Sequence, residues 1–294
     1  MKKTFVFLAG AALLAAVLSC NKNGAVVVSD QEALQEQIQF RAQWPAIVVD
    51  TKTTAVEQAS FNSFKASAST GSGTEVEAWT SEDFSKSGDV FKGDKWWPKD
   101  NPSYHFYASN LPLTFTASGN TVAATNATDV VCAYLASPSF KETNTLSFAH
   151  IFARLGSVTV SATDGYTISN IDIKITPKTG GTYNLKSGFE QTDGTGWSSP
   201  TSGSPVSIAN AAPGTKSNDI YLVPGRYILT ASWTATKDDY TESFSEKTVE
   251  VDLVGGKINL ISAQIKGNAT QIAFSVSVTP WSDNAVNAGV FPVI

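Results

Sequence analysis

The chain reads as all-β, folded as two β-sandwiches, and three observations carry that reading. Val158-Thr159-Val160-Ser161 and Ile171-Asp172-Ile173-Lys174-Ile175 alternate apolar and polar residues, the mark of strands with one face buried. Turn formers are plentiful, with 21 Gly and 12 Pro among 294 residues. Long helical periodicity is absent, and short extended runs recur at roughly even spacing instead.

The chain opens on a leader. Lys2 and Lys3 precede the apolar run Phe5 to Leu18, and Val17-Leu18-Ser19-Cys20 closes it in the pattern of a lipobox, where the cysteine becomes a lipid-bearing N-terminus. About 14 apolar residues are too few to span a hydrocarbon core of roughly 30 Å, so residues 1–19 read as a lipoprotein signal peptide rather than an anchor helix. Residues 20–37 form a lipidated linker, in which Gln31 to Gln37 favour helix by composition. Ile38-Gln39-Phe40 then alternates like a strand, with Arg41 directly after it, and Ile47-Val48-Val49 is a second extended run.

From Phe61 the period is two, up to the turn Ser69-Thr70-Gly71-Ser72-Gly73. Extended runs follow at Tyr104 to Ala108, Val130 to Tyr134, Leu146 to Phe148 and Val158 to Ser161. The second half continues with Ile168 to Ile175, Ile220 to Val223, Tyr227 to Ala235, Thr248 to Leu253, Ile258 to Ile265 and Ile272 to Val278. Gly255-Gly256 suits the positive φ angles of a hairpin joining two of these runs. Ser187 to Asn218, rich in Ser, Thr, Gly and Pro, reads as a long exposed excursion. The domains are expected at 38–160 and 161–294, divided near the turn Ala162-Thr163-Asp164-Gly165.

Charge and chemistry narrow the function. Removing Lys2 and Lys3 takes the formal charge from −5 to −7, which gives no electrostatic pull toward nucleic acid. With Cys20 committed to lipid, Cys132 has no partner and lies in the apolar run Asp129 to Tyr134, where a thiol acts as a small hydrophobe. His105 and His150 sit in strand-like runs without Asp or Glu within three positions, so both read as structural. Glu82-Asp83 and Asp238-Asp239 are adjacent carboxylates of the kind common on solvated surfaces. No phosphate loop, nucleophile elbow or Cys-x-x-Cys is present. The chain is therefore expected to be non-enzymatic, without cofactor or metal. Trp79, Trp96, Trp97, Trp197, Trp233 and Trp281 allow either a sugar-stacking platform or, as their scatter favours, plugs in the cores.

Several blocks in order resemble the fimbrillin-like pilus proteins of Bacteroidetes. They are Lys95-Trp96-Trp97-Pro98 leading to Tyr104-His105-Phe106-Tyr107-Ala108, then Asp129-Val130-Val131, then Leu146 to Leu155 with its Leu-x-Phe-x-His pattern. Tyr221-Leu222-Val223-Pro224-Gly225, Gly256-Lys257-Ile258-Asn259 and Ile272 to Trp281 follow. The resemblance implies two tandem transthyretin-like Greek-key sandwiches and an outer-membrane lipoprotein that becomes part of a cell-surface fimbrium. It implies other pilus subunits as partners, and host or bacterial surface ligands. Assembly would proceed by proteolysis and strand exchange. On this sequence Arg41 or Lys52 is the cut site, Ile38 and Phe40 lie on the displaced strand, and Val290, Phe291, Val293 and Ile294 form the donor strand. A surface glycan-binding lipoprotein is the alternative.

Overall fold

The structure is a computed structural model that describes residues 36–44, 60–71, 73–162, 165–190 and 196–281. The leader with Cys20, the run Ile47 to Val49, Lys52 and the tail residues Val290, Phe291, Val293 and Ile294 lie outside the described residues. Gln37, grouped by composition with a helical stretch, instead opens the first strand.

Among the described residues the first half contains ten strands: β1 (Gln37–Gln43), β2 (Ser63–Thr70), β3 (Val76–Ser87), β4 (Val90–Trp96), β5 (Tyr104–Ser109), β6 (Thr114–Thr116), β7 (Gly119–Thr125), β8 (Val131–Leu135), β9 (Thr143–Ser147) and β10 (Ala149–His150). Eight of them form one sheet in the order β10-β8-β5-β2-β3-β4-β1-β9. In a flat sheet β5 and β1, four steps apart, would be separated by roughly 19 Å at about 4.8 Å per strand. Yet the rings of Phe40 on β1 and Phe106 on β5 lie 5.0 Å apart, edge to face. The sheet therefore curls back on itself. Its interior is aromatic, with Phe40, Phe64, Phe84, Phe91, Phe106 and Phe148 all buried in one cluster.

The second half contains β11 (Ala153–Ala162), β12 (Thr167–Ile175), β13 (Lys178–Asn184), the short helix α1 (Leu185–Glu190), β14 (Trp197–Ser202), β15 (Val206–Ala211), β16 (Gly214–Leu222), β17 (Gly225–Lys237), β18 (Tyr240–Leu253), β19 (Lys257–Lys266) and β20 (Gln271–Pro280). Two four-stranded sheets, β16-β11-β19-β20 and β15-β12-β17-β18, face each other. The alternation read from the sequence is what fills the space between them. Val158 and Val160 of β11 and Ile171, Ile173 and Ile175 of β12 all point into one core, joined there by Leu229, Trp233 and Ile261. This is an all-β sandwich fold.

A fourth sheet, β14-β13-β7-β6, ties the halves together, because β7 pairs antiparallel with β13 from Thr121↔Asn184 to Thr125↔Gly180. A third apolar cluster lies under it, with Val122 and Cys132 from one half against Tyr183, Tyr221 and Trp281 from the other. Lys186 of α1 reaches back to Glu75 at 2.6 Å, and Tyr134 donates to Glu190 at 2.9 Å.

Two local readings change. The segment from Ser187 to Asn218 is not one excursion: it completes α1, forms β14 and β15 and begins β16. Gly255-Gly256 does not close a hairpin, since β18 and β19 belong to different sheets. The pair instead carries the chain across, with Gly256 at φ 64° and the carbonyl of His150 only 3.0 Å from where a side chain would begin. A tight hairpin is made instead by Asp238-Asp239, with Lys237 opposite Tyr240 and Asp238 at φ 52°.

Candidate functional site

Strand β1 is the feature whose position asks for explanation. It lies between β4, to which it is antiparallel, and β9, to which it is parallel, with Phe40 opposite Phe91 on one side and Asn144 on the other. Removing it would leave two strand edges unpaired and facing one another. Its alternation extends past Phe40: Ile38, Phe40 and Trp44 are buried and Ala42 is half-buried, while Arg41 and Gln43 are exposed. Phe40 sits edge-on to Phe84 and Phe106, both at 5.0 Å, and lies 6.1 Å from Phe64. Trp44 stacks on Phe148 at 5.6 Å and meets Phe61 edge-on at 5.2 Å.

The strand is zipped at both ends. The Trp97 amide donates to the Glu36 carbonyl at 2.8 Å, and the Phe148 amide donates to the Gln43 carbonyl at 2.8 Å. Gln37 Nε2 adds a bond to the Gly93 carbonyl at 2.8 Å. Burial of an Ile and a Phe contributes about 1.5–3 kcal/mol each. The structure places the predicted residues Ile38 and Phe40 at the centre of this slot. Arg41 is exposed but lies inside the ladder, paired with Thr145.

The polar groups that sequence reading left isolated are paired inside the fold. His105 Nδ1 donates to Glu75 at 2.8 Å, and Lys186 and Ser69 bond the same carboxylate. Burial by itself raises the Glu75 carboxyl, but the bonds from Lys186, Ser69 and His105 outweigh it and hold the group below its ordinary value. A carboxyl lowered on folding contributes stability that is present above its unfolded pKa and lost as pH falls through the lower folded value. Wild type should therefore lose stability below about pH 4.3. Glu75→Gln should be less stable at neutral pH and show a flatter decline, read from urea midpoints at neutral and acidic pH.

His150 Nδ1 bonds Asp129 at 2.8 Å, with both side chains enclosed, and its ring stacks on Trp281 at 4.2 Å and 5°. His150 is buried, while His105 keeps a partly exposed edge. Among the described residues no group of three or more His, Cys, Asp or Glu side chains gathers as a metal-ligand set. Cys132 is fully buried, and burial, with Asp129 nearby, pushes its thiol up to about 12. It should resist alkylation in the native protein and react at once in denaturant, which mass spectrometry would show. Glu82 and Asp83 end separate surface ion pairs, to Lys95 and Lys65, each at 2.6 Å.

The tryptophans do not make a platform. Trp44, Trp97, Trp233 and Trp281 are buried, and Trp96 alone of the seven is exposed, at 51%. Trp44, Glu75 and Asp129 were missed by the sequence reading; Trp44 had a signal, as the fourth member of the alternation Ile38-Phe40-Ala42-Trp44.

Among solved structures, a candidate cell adhesion protein from Bacteroides ovatus superposes with a TM-score of 0.47 at 15% identity, over 84% of this chain and 98% of that one. A second candidate cell adhesion protein, from Parabacteroides distasonis, gives 0.46 at 10% identity, over 85% and 100%. The fimbrial anchor protein Mfa2 from Porphyromonas gingivalis gives 0.39 at 8% identity, over 88% and 100%. No curated protein matches the chain significantly. Residues 47–281 match the family described as fimbrillin-like, a stretch that begins after β1 has ended, and the chain belongs to that family.

Proposed function

We propose that the chain is a non-enzymatic subunit of a cell-surface fimbrium, exported as a lipoprotein through Cys20 and joined to neighbouring subunits by strand exchange at the slot that β1 fills. One observation carries this reading. A short N-terminal strand, lying before the family-matched region, completes the aromatic core from between two strands that do not pair with each other. Such a slot is built for strand addition, with main-chain bonds along both edges and pockets for alternate side chains.

Of the two basic residues, Lys52 is the better productive cut. Cleavage after Arg41 would leave Ala42 to Trp44 in place and split a paired ladder, whereas cleavage after Lys52 detaches all of β1 together with Trp44. Cys20 would leave with the released piece, so the lipid is a tether during export. In the tail, Phe291 and Val293 stand two apart, as Ile38 and Phe40 do, a spacing that would let them enter the same pair of pockets of a neighbouring subunit. The two cores are read as tandem transthyretin-like domains. We place their division ahead of β11, because its pairing with β16 and β19 already begins at Ala153 and Arg154.

The test is limited trypsin treatment of the purified precursor. Loss of residues up to Lys52, followed by a ladder of polymers that Phe291→Ala abolishes without blocking cleavage, is the expected result. A cleaved chain that stays monomeric with β1 still bound would overturn the strand-exchange reading.

A further inference from the structure

The outer face of the sheet β15-β12-β17-β18 contains a depression of about 340 Å³, at the small end of ligand sites. Bulges form it. The register of β12 slips against β17 between Ser169 and Asp172 and against β15 between Ile173 and Lys174, while β17 slips against β18 between Ala231 and Trp233. Bulges of this kind re-aim outward side chains and gather beside binding sites. Asp172, Lys174, Ser232 and Glu246 line the depression, with the hydroxyls of Thr230 and Ser245. Ile228, 57% exposed, and Pro205 give it an apolar wall.

The polar chemistry is unfinished. Asp172 Oδ2 meets Lys174 at 3.1 Å, but Oδ1 is buried with no hydrogen-bond partner among the described residues. A buried acceptor left in this state is destabilising, and a ligand hydroxyl that donates to the carboxylate would relieve it. A divalent cation fits poorly, since calcium takes about 6–8 oxygen ligands and the site has two carboxylates, one already paired with Lys174. An anionic ligand would face those same carboxylates. Hydroxyl donors and acceptors beside an exposed aliphatic side chain match a pyranose, with its hydroxyl edge and C–H face.

We infer that this depression binds a neutral hexose or N-acetylhexosamine unit of a surface glycan. The site deepens the reading of a surface-exposed subunit and is independent of strand exchange. Saturation-transfer NMR on the uncut full chain, with a panel of methyl hexopyranosides and methyl N-acetylhexosaminides, tests it. At least one sugar should bind with a Kd on the order of 1 mM. Asp172→Ala and Ile228→Asp should each weaken it about tenfold or more, with urea midpoints no lower than wild type, while Thr159→Ala on the opposite sheet should leave it intact. No transfer to any sugar in the panel, or equal transfer in Asp172→Ala, would overturn the site. Either outcome leaves trypsin-induced laddering, and hence the fimbrial reading, to stand or fall separately.

Discussion

Replacing Phe40 with alanine is expected to speed trypsin cleavage after Arg41 by about two to three orders of magnitude. Arg41 is exposed as a side chain, but its backbone belongs to the ladder with β9, and a protease needs the chain extended and free. Cleavage there tracks the population of a locally opened state in which β1 has left the slot. A large part of what holds β1 closed is the Phe40 ring, fully buried among Phe64, Phe84 and Phe106. Truncating a buried Phe costs about 3–5 kcal/mol, and each 1.4 kcal/mol of lost closure is about tenfold in opened population. Phe40→Leu, which keeps most of the volume, should move the rate far less. A rate unchanged by Phe40→Ala would mean that the chain opens at Arg41 without emptying the pocket, and would remove the basis for treating β1 as one cooperative unit.

The strand itself was legible because burial on one face writes a period of two into Ile38 and Phe40. Its full length was not, since Ala42 is too small to stand out between Arg41 and Gln43, which hides the continuation to Trp44. Partners of the histidines were invisible for a different reason. Glu75 and His105 are 30 residues apart and Asp129 and His150 are 21 apart, so no local window contains both. Strand pairing creates those contacts: β2 against β5 brings His105 opposite Ser69, whose hydroxyl also bonds Glu75. The stretch from Ser187 to Asn218 misled through composition. β14 is an edge strand whose residues are almost all exposed, and a solvated strand spells itself in the same Ser, Thr and Pro as a loop. At Gly255-Gly256 a turn forms with Gly256 alone at positive φ, but whether a turn joins neighbours or crosses between sheets depends on which core the flanking side chains enter.

Trp44→Ala and Trp281→Ala should each cost about 3–5 kcal/mol, and together their losses should fail to add by about 0.5 kcal/mol or more. Trp44 follows β1 and Trp281 follows β20, so the two mark opposite ends of the described fold. Between them stands His150, 5.9 Å from the Trp44 ring and stacked on Trp281 at 4.2 Å, with Asp129 fixing its orientation. Removing either tryptophan frees His150 to shift, so the second removal acts on an already loosened site. The matching control is Trp44→Ala with Trp233→Ala. Trp233 sits in the separate core between β17 and its neighbours, stacked on Phe244 and bonded to the Ala269 carbonyl, and shares no partner with Trp44. That pair should add within about 0.3–0.5 kcal/mol. Urea unfolding of the three single and two double variants measures both cycles. Non-additivity confined to the Trp44–Trp281 pair would mean that displacing β1 with Trp44 is felt at the base of the C-terminal tail, the segment proposed to donate a strand to the next subunit. Additivity in both cycles would mean that the two ends of the chain act independently, and that any release of the tail must be driven by something other than the departure of β1.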